Sequence, residues 1–145
     1  MAETIAALQE EYLSFLKDTQ TAYLATVEAA QPRVRPVALL WIDGVAWIGS
    51  GASNGKTRQV KQDGGVELCI PIERNNRHGY VRLAGRAEVV CDPAVRSRLA
   101  ERMPFFDAFW DGPDDARYSL IRIVPREDFY LRPEEDHHHV IDLAP

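Results

Sequence analysis

Asp43 and Gly44 stand between two runs of β-branched and aliphatic residues, "RVRPVALLWI" and "VAWIGS". An Asp-Gly pair in that setting favours a two-residue turn with both residues at positive φ, which joins neighbouring strands antiparallel. One such hairpin exposes two sheet edges and cannot bury enough surface alone. The chain must therefore supply more strands, and it does. "AYLATVE" precedes the hairpin, with "AAQP" as a turn, and "VELCIPI" and "YVRLAGRAEVV" follow it, separated by the polar loop "ERNNRHG". "RYSLIRIVP" and "EDFYLRP" read as a final pair. Gly85, midway along the longest run, predicts a bulge or bend.

Helices punctuate these strands. Ile5, Leu8, Tyr12, Phe15 and Leu16 recur at helical spacing, predicting an amphipathic helix over about residues 3–18. Ser53 or Asn54 can cap a short helix running to about Gln62. Asp92-Pro93 combines a cap with a proline at the first helical position, and Val95, Leu99 and Met103 then mark one face. Six or seven short antiparallel strands with flanking helices predict a mainly β fold, a small closed or partly open barrel, since closure removes exposed edges. The 145 residues are read as one domain over 1–132, with 133–145 as a loose tail.

Several classes of function are excluded by composition. A formal net charge of −5 does not suit non-specific nucleic-acid binding, which needs a basic face to release counterions. The sequence holds no apolar run long enough to span a bilayer and no signal-peptide pattern near Met1, so a cytoplasmic protein is expected. Cys69 and Cys91, without CxxC spacing, are expected to be small buried hydrophobes in a reducing compartment. His137–His139 stand consecutively, which does not set ligands on one face, so no metal site is expected. His78 reads as a surface loop histidine.

The chemistry concentrates in "SGASNGKTRQVKQ", Ser50 to Gln62, where an acidic chain gathers Lys56, Arg58 and Lys61 behind small polar residues. Arg33 and Arg35 lie two apart on a predicted strand and share a face. A phosphate placed between Arg35 and the Ser50–Lys56 loop would meet a guanidinium fork, an ammonium, hydroxyls and a helix start. The same residues also read as a capped helix with a wet outer face. "GASNGKT" is one residue short of a Walker-type loop, which argues against a nucleoside triphosphatase.

"YLATV", "QPRVRPVALLWIDGVAWIGSGASNGKTRQVKQDGGVELCI" and "GYVRLAGRAEVV", in this order and spacing, resemble the FMN-binding split-barrel family of pyridoxamine 5′-phosphate oxidase and the general stress flavoproteins. The resemblance covers about residues 10–132 and implies an antiparallel six-stranded split β-barrel, homodimeric, with FMN at the subunit interface. By resemblance, Arg35, Ser50, Asn54 and Lys56 hold the riboflavin phosphate, and Gln59 echoes a glutamine of the family's helix. Pro36, Val37, Ala38, Gly49 and Ser50 would border the ring, and Trp110 of the aromatic run "FFDAFWDG" could stack on it. The vitamin oxidases carry a further lysine where this chain has Leu39 and Leu40, and a C-terminal tryptophan–arginine extension that "YLRPEEDHHHVIDLAP" does not match. Turnover of pyridoxine phosphate is therefore not expected. The expected activity is a flavin-dependent oxidoreductase acting on a small organic molecule, with NAD(P)H as a possible donor. A non-catalytic FMN carrier or sensor is the alternative, as is a binder of a deazaflavin or of haem, the haem reading leaning on His78 or His137–His139 as an axial ligand.

Overall fold

The computed structural model describes residues 3–143. In chain order the elements are α1 (Ile5–Leu13), β1 (Thr19–Glu28), β2 (Gln31–Ile42), β3 (Val45–Gly51), α2 (Gly55–Gln62), β4 (Gly65–Arg74) and β5 (Arg77–Val90). They continue as α3 (Pro93–Arg102), α4 (Phe106–Phe109), β6 (Tyr118–Leu131) and β7 (His139–Asp142). All strand pairings are antiparallel, in the order β3-β2-β1-β4-β5-β6-β7. A β3–β6 ladder from Ala46↔Ile123 to Gly51↔Tyr118 closes the first six into a barrel. β1 and β2 stay paired over their length, whereas β1 and β4 meet only from Tyr23↔Cys69 to Ala25↔Glu67. That seam is the shortest ladder of the barrel.

Alternation along each strand builds two cores. Leu24, Leu39, Ile48, Leu68, Val81 and Ile121 belong to the buried cluster of the barrel, with Tyr12 from α1 and Val60 from α2. Leu40, Ile42 and Trp47, of opposite strand parity to Leu39 and Ile48, pack with Leu99 of α3, with Met103 at its C-cap and with Phe106 and Trp110. α2 contacts β1, β3 and β5. Its cap is Asn54, whose Oδ1 accepts from the Lys56 N–H at 3.0 Å.

Several expectations are corrected. α1 ends at Leu13, short of residue 18, because the chain must turn at Ser14 to enter β1. The two terminal runs form one continuous strand, β6. Pro125 does not break it, because it sits where the β5–β6 register slips. Gly85 pairs with Pro125 and Ala84 with Glu127, leaving Arg126 as the extra residue. The polar loop after β4 is a tight turn with Asn75 and Asn76 at φ of 54° and 61°. Residues 139–142 are not a loose tail, since β7 pairs with β6 from Glu127↔Asp142 to Tyr130↔His139. Cys69 is only half-buried and Cys91 is exposed.

The β1–β2 turn runs through Ala29 and Ala30 at φ of 48° and 64°. A left-handed residue with a Cβ costs about 1–2 kcal/mol, and asparagine and glycine relieve that cost. Replacing Ala29-Ala30 by Asn-Gly is therefore expected to stabilise the protein by about 1 kcal/mol or more, read as a rise in the urea midpoint at unchanged slope.

Candidate functional site

Beside the closing β3–β6 ladder, the sheet carries a cleft of 440 Å³. Pro36, Val37 and Ala38 of β2 and Gly49, Ser50 and Gly51 of β3 line one side. Asn54 and Lys56 bound one end, and Phe105, Phe109 and Trp110 form the aromatic wall. The cleft thus brings together eight of the ten residues singled out from sequence: Pro36, Val37, Ala38, Gly49, Ser50, Asn54, Lys56 and Trp110. Arg35 and Gln59 are not among its lining residues.

Arg35 lies one residue beyond the lining, on the face of β2 that carries Val37 and Leu39 into the barrel core. Its guanidinium donates to Leu24 O at 3.1 Å and to Thr26 Oγ1 at 2.7 Å, and it also binds Gln59 Oε1. Gln59 is buried. Its Oε1 takes a second short bond from the Thr26 hydroxyl, and its Nε2 donates to Glu28 Oε2 at 2.8 Å. The resemblance assigned Gln59 to the cofactor, but the structure places it under Arg35 as a brace. Burial, and then the neighbouring Arg33, lower the pKa of Arg35.

Lys56 is half-buried, whereas Arg58 and Lys61 of the same helix are exposed. Arg58 reaches Glu28 Oε1 at 3.4 Å. Among the described residues the Lys56 ammonium has no carboxylate partner. Burial, and then the Arg35 guanidinium, hold it below the ordinary lysine range. A partly desolvated ammonium whose charge a second cation disfavours is a group that an anion stabilises.

The small residues have structural reasons as well. A Cβ on Gly49 would lie 2.8 Å from Met103 Sδ and 3.6 Å from the Trp110 ring, so glycine there lets β3 approach the aromatic wall. Ser50 is buried, with its hydroxyl 2.9 Å from Thr57 Oγ1, which itself donates to Gly51 O at 3.0 Å. Thr57 and Thr26 were missed from sequence. Their only signal is a hydroxyl one helical step beyond Lys56 and an inward register position on β1.

The aromatic wall is half core and half surface. Trp110 is nearly buried, with ring centroids 5.0 Å from Tyr118 and 5.2 Å from Phe106. Phe109, 5.7 Å from Trp110, is 62% exposed. None of the four histidines lines the cleft. His138 Nδ1 lies 2.8 Å from the Tyr80 hydroxyl, and His139 Nε2 lies 2.8 Å from Glu135, both in the neighbourhood of β7. Among the described residues no helix is long and apolar enough to cross a membrane.

Among solved structures the fold is shared with general stress protein 26 from Bacillus anthracis str. Sterne. The TM-score is 0.75 at 19% identity, covering 94% of this chain and 98% of that one. A NimC/NimA family protein from Clostridium acetobutylicum has a TM-score of 0.74 at 24% identity, covering 93% and 92%. A haem-binding protein from Mycobacterium smegmatis reaches 0.76 at 15% identity, covering 98% of this chain but 60% of its own. A search of curated proteins finds no match. The profile of the family described as pyridoxamine 5′-phosphate oxidase matches residues 8–131, most of the chain. A closed antiparallel barrel with this cleft, and a family match running from α1 to the end of β6, show that the chain belongs to the pyridoxamine 5′-phosphate oxidase family.

Proposed function

We propose that the cleft binds FMN and that the protein is a flavin-dependent oxidoreductase acting on a small organic molecule. The observation that carries this reading is the cleft end at Lys56, where a half-buried ammonium lines the cleft with no carboxylate partner among the described residues and carries the repulsion of the Arg35 charge. A dianionic phosphate is the group that relieves both cations. The remaining lining suits a flat ring, with small and apolar residues of β2 and β3 and the aromatic side chains Phe105, Phe109 and Trp110 around one cleft. When bound, the flavin supplies two-electron chemistry. The chain's own contribution is to bind and orient. Lys56 and Arg35 anchor the phosphate, Gln59 and Thr26 hold Arg35 in place, and the aromatic wall excludes water. The placement of all four histidines outside the cleft favours FMN over haem.

The first test is an absorption spectrum after mixing with FMN and removing free ligand by gel filtration. Flavin bands co-eluting at about one FMN per chain are expected; protein eluting without flavin would overturn the reading. Reduction of that complex by NAD(P)H then separates an oxidoreductase from a carrier.

A homodimer belongs to the same proposal. Tyr23 (43% exposed) pairs across the β1–β2 ladder with Pro36, and Val34 (71% exposed) lies two residues along the same face. Pro36 also borders the cleft, so the apolar patch runs into its rim. A second copy seated there would cover the patch and close the open side of the site. Val34→Glu combined with Tyr23→Glu is expected to give a monomer by sedimentation and to weaken FMN retention. A wild-type chain that is monomeric at micromolar concentration with FMN bound would contradict the interface.

A further inference from the structure

Glu28 ends β1 and pairs with Gln31 across the β1–β2 turn. Its carboxylate gathers donors from two elements. Gln59 Nε2 of α2 donates to Oε2 at 2.8 Å, the Arg58 guanidinium of α2 lies 3.4 Å from Oε1, and the Arg33 guanidinium of β2 lies 3.9 Å from Oε2. Glu28 does not line the cleft. It is nevertheless linked to Arg35, because the other end of the Gln59 amide binds that guanidinium and the Thr26 hydroxyl.

An amide side chain has a donor end and an acceptor end, and these neighbours leave Gln59 one orientation. Carboxylate oxygens only accept, and a guanidinium only donates. Gln59 must therefore turn Nε2 to Glu28 and Oε1 to Arg35. The flipped amide would set its NH2 against the guanidinium and its carbonyl against the carboxylate. Thr26 enforces the same direction. Its hydroxyl accepts from Arg35 at 2.7 Å, which leaves its proton for Gln59 Oε1. Thr26 and Gln59 are both buried, so a misdirected amide would leave buried polar groups unpaired.

We propose that Glu28 is a positioning residue for the phosphate seat: it directs the Gln59 amide so that Oε1 holds the Arg35 guanidinium in place. This role rests on the cleft being an FMN site. What Glu28 supplies is a hydrogen-bond acceptor, not its charge. By charge alone it would oppose a phosphate, since a carboxylate near the seat repels an anion. The two contributions have opposite signs, so variants separate them. Glu28→Gln removes the charge and keeps a carbonyl that can accept from Gln59 Nε2. Glu28→Leu removes both.

The test is fluorescence titration of the full chain with FMN and with riboflavin, which lacks the phosphate. Glu28→Leu is expected to bind FMN about tenfold more weakly than Glu28→Gln, the worth of one well-directed bond to a charged group. The two variants are expected to bind riboflavin alike, which a merely structural role for Glu28 would not allow. Glu28→Gln is expected to bind FMN at least as tightly as the wild type. On a Gln59→Leu background the two Glu28 variants are expected to bind FMN alike, because the amide they direct is gone. Equal FMN affinity of Glu28→Leu and Glu28→Gln, a difference that persists on Gln59→Leu, or riboflavin weakened in step with FMN would each overturn the proposal and leave the FMN site standing. A wild-type chain that takes up no FMN would overturn the FMN site and the role of Glu28 with it.

Discussion

Lys56→Ala is expected to weaken the proposed FMN binding by about 10- to 150-fold, the equivalent of about 1.5–3 kcal/mol for one charge-assisted bond, while the melting temperature of the FMN-free chain is expected to stay the same or rise. Both halves of that result follow from the same geometry. The ammonium has no carboxylate partner, and burial and Arg35 already disfavour its charge, so removing it breaks no ion pair and relieves a repulsion. Arg35→Ala behaves differently. Its guanidinium binds Thr26, Gln59 and the Leu24 carbonyl, so its loss strips partners from buried polar groups and lowers stability along with affinity. Fluorescence titration of FMN, set beside thermal melts of the ligand-free variants, separates the two. A Lys56→Ala chain that binds FMN like the wild type would remove the phosphate seat. One that loses stability as Arg35→Ala does would make Lys56 a structural residue.

Gly85→Ala is expected to destabilise the protein by about 3 kcal/mol or more, enough to unfold a marginal domain or to open the β5–β6 ladder. A Cβ at this position would lie 2.0 Å from the Val124 carbonyl oxygen and 3.1 Å from the Pro125 Cα. Those are backbone atoms of a paired strand, and no rotamer change moves them. The register slip beside Gly85 brings the strands together there, and Arg126 is the residue it leaves over. Equilibrium urea unfolding measures the effect. A midpoint within experimental error of the wild type would mean the strands can part at this bulge without loss. Gly49→Ala makes a useful contrast, because its Cβ would meet the end of the flexible Met103 side chain, and Met103 can turn aside at lower cost.

The turns show which local signals can be read and which cannot. Asp43-Gly44 was legible because both residues tolerate positive φ, and φ is 54° and 73° there. Ala29-Ala30 makes the same kind of turn without the residues that favour it, held by the ladder from Thr19↔Leu40 to Glu28↔Gln31. Pro125 looked like the end of a strand because proline lacks the N–H a ladder uses. Only the partner strand, with its glycine and its slipped register, shows that this N–H was not needed. β7 was invisible for a related reason: four residues of weak pattern become a strand only when the edge of β6 is beside them.

The cleft was read from sequence to the extent that its residues are close in the chain. Ser50, Asn54 and Lys56 lie within seven positions, and a strand end followed by a helix cap leaves them few alternatives. Gln59 lay in the same motif, yet its role depended on Thr26, which is 33 residues away and reached only through the barrel. Phe105 and Phe109 could not be separated from core aromatics until the fold showed which of them line the cleft.

By itself the sequence determined the succession of elements from α1 to α3, the capped helix carrying Lys56 and the family to which the chain belongs, because these depend on residues close in the chain or on their order along it. Tertiary structure alone decided that β3 closes on β6, that Gln59 braces Arg35 instead of lining the cleft, and that Asp128 is buried with one oxygen unpaired among the described residues. Each of these depends on which distant residues become neighbours, and closure of the barrel sets that.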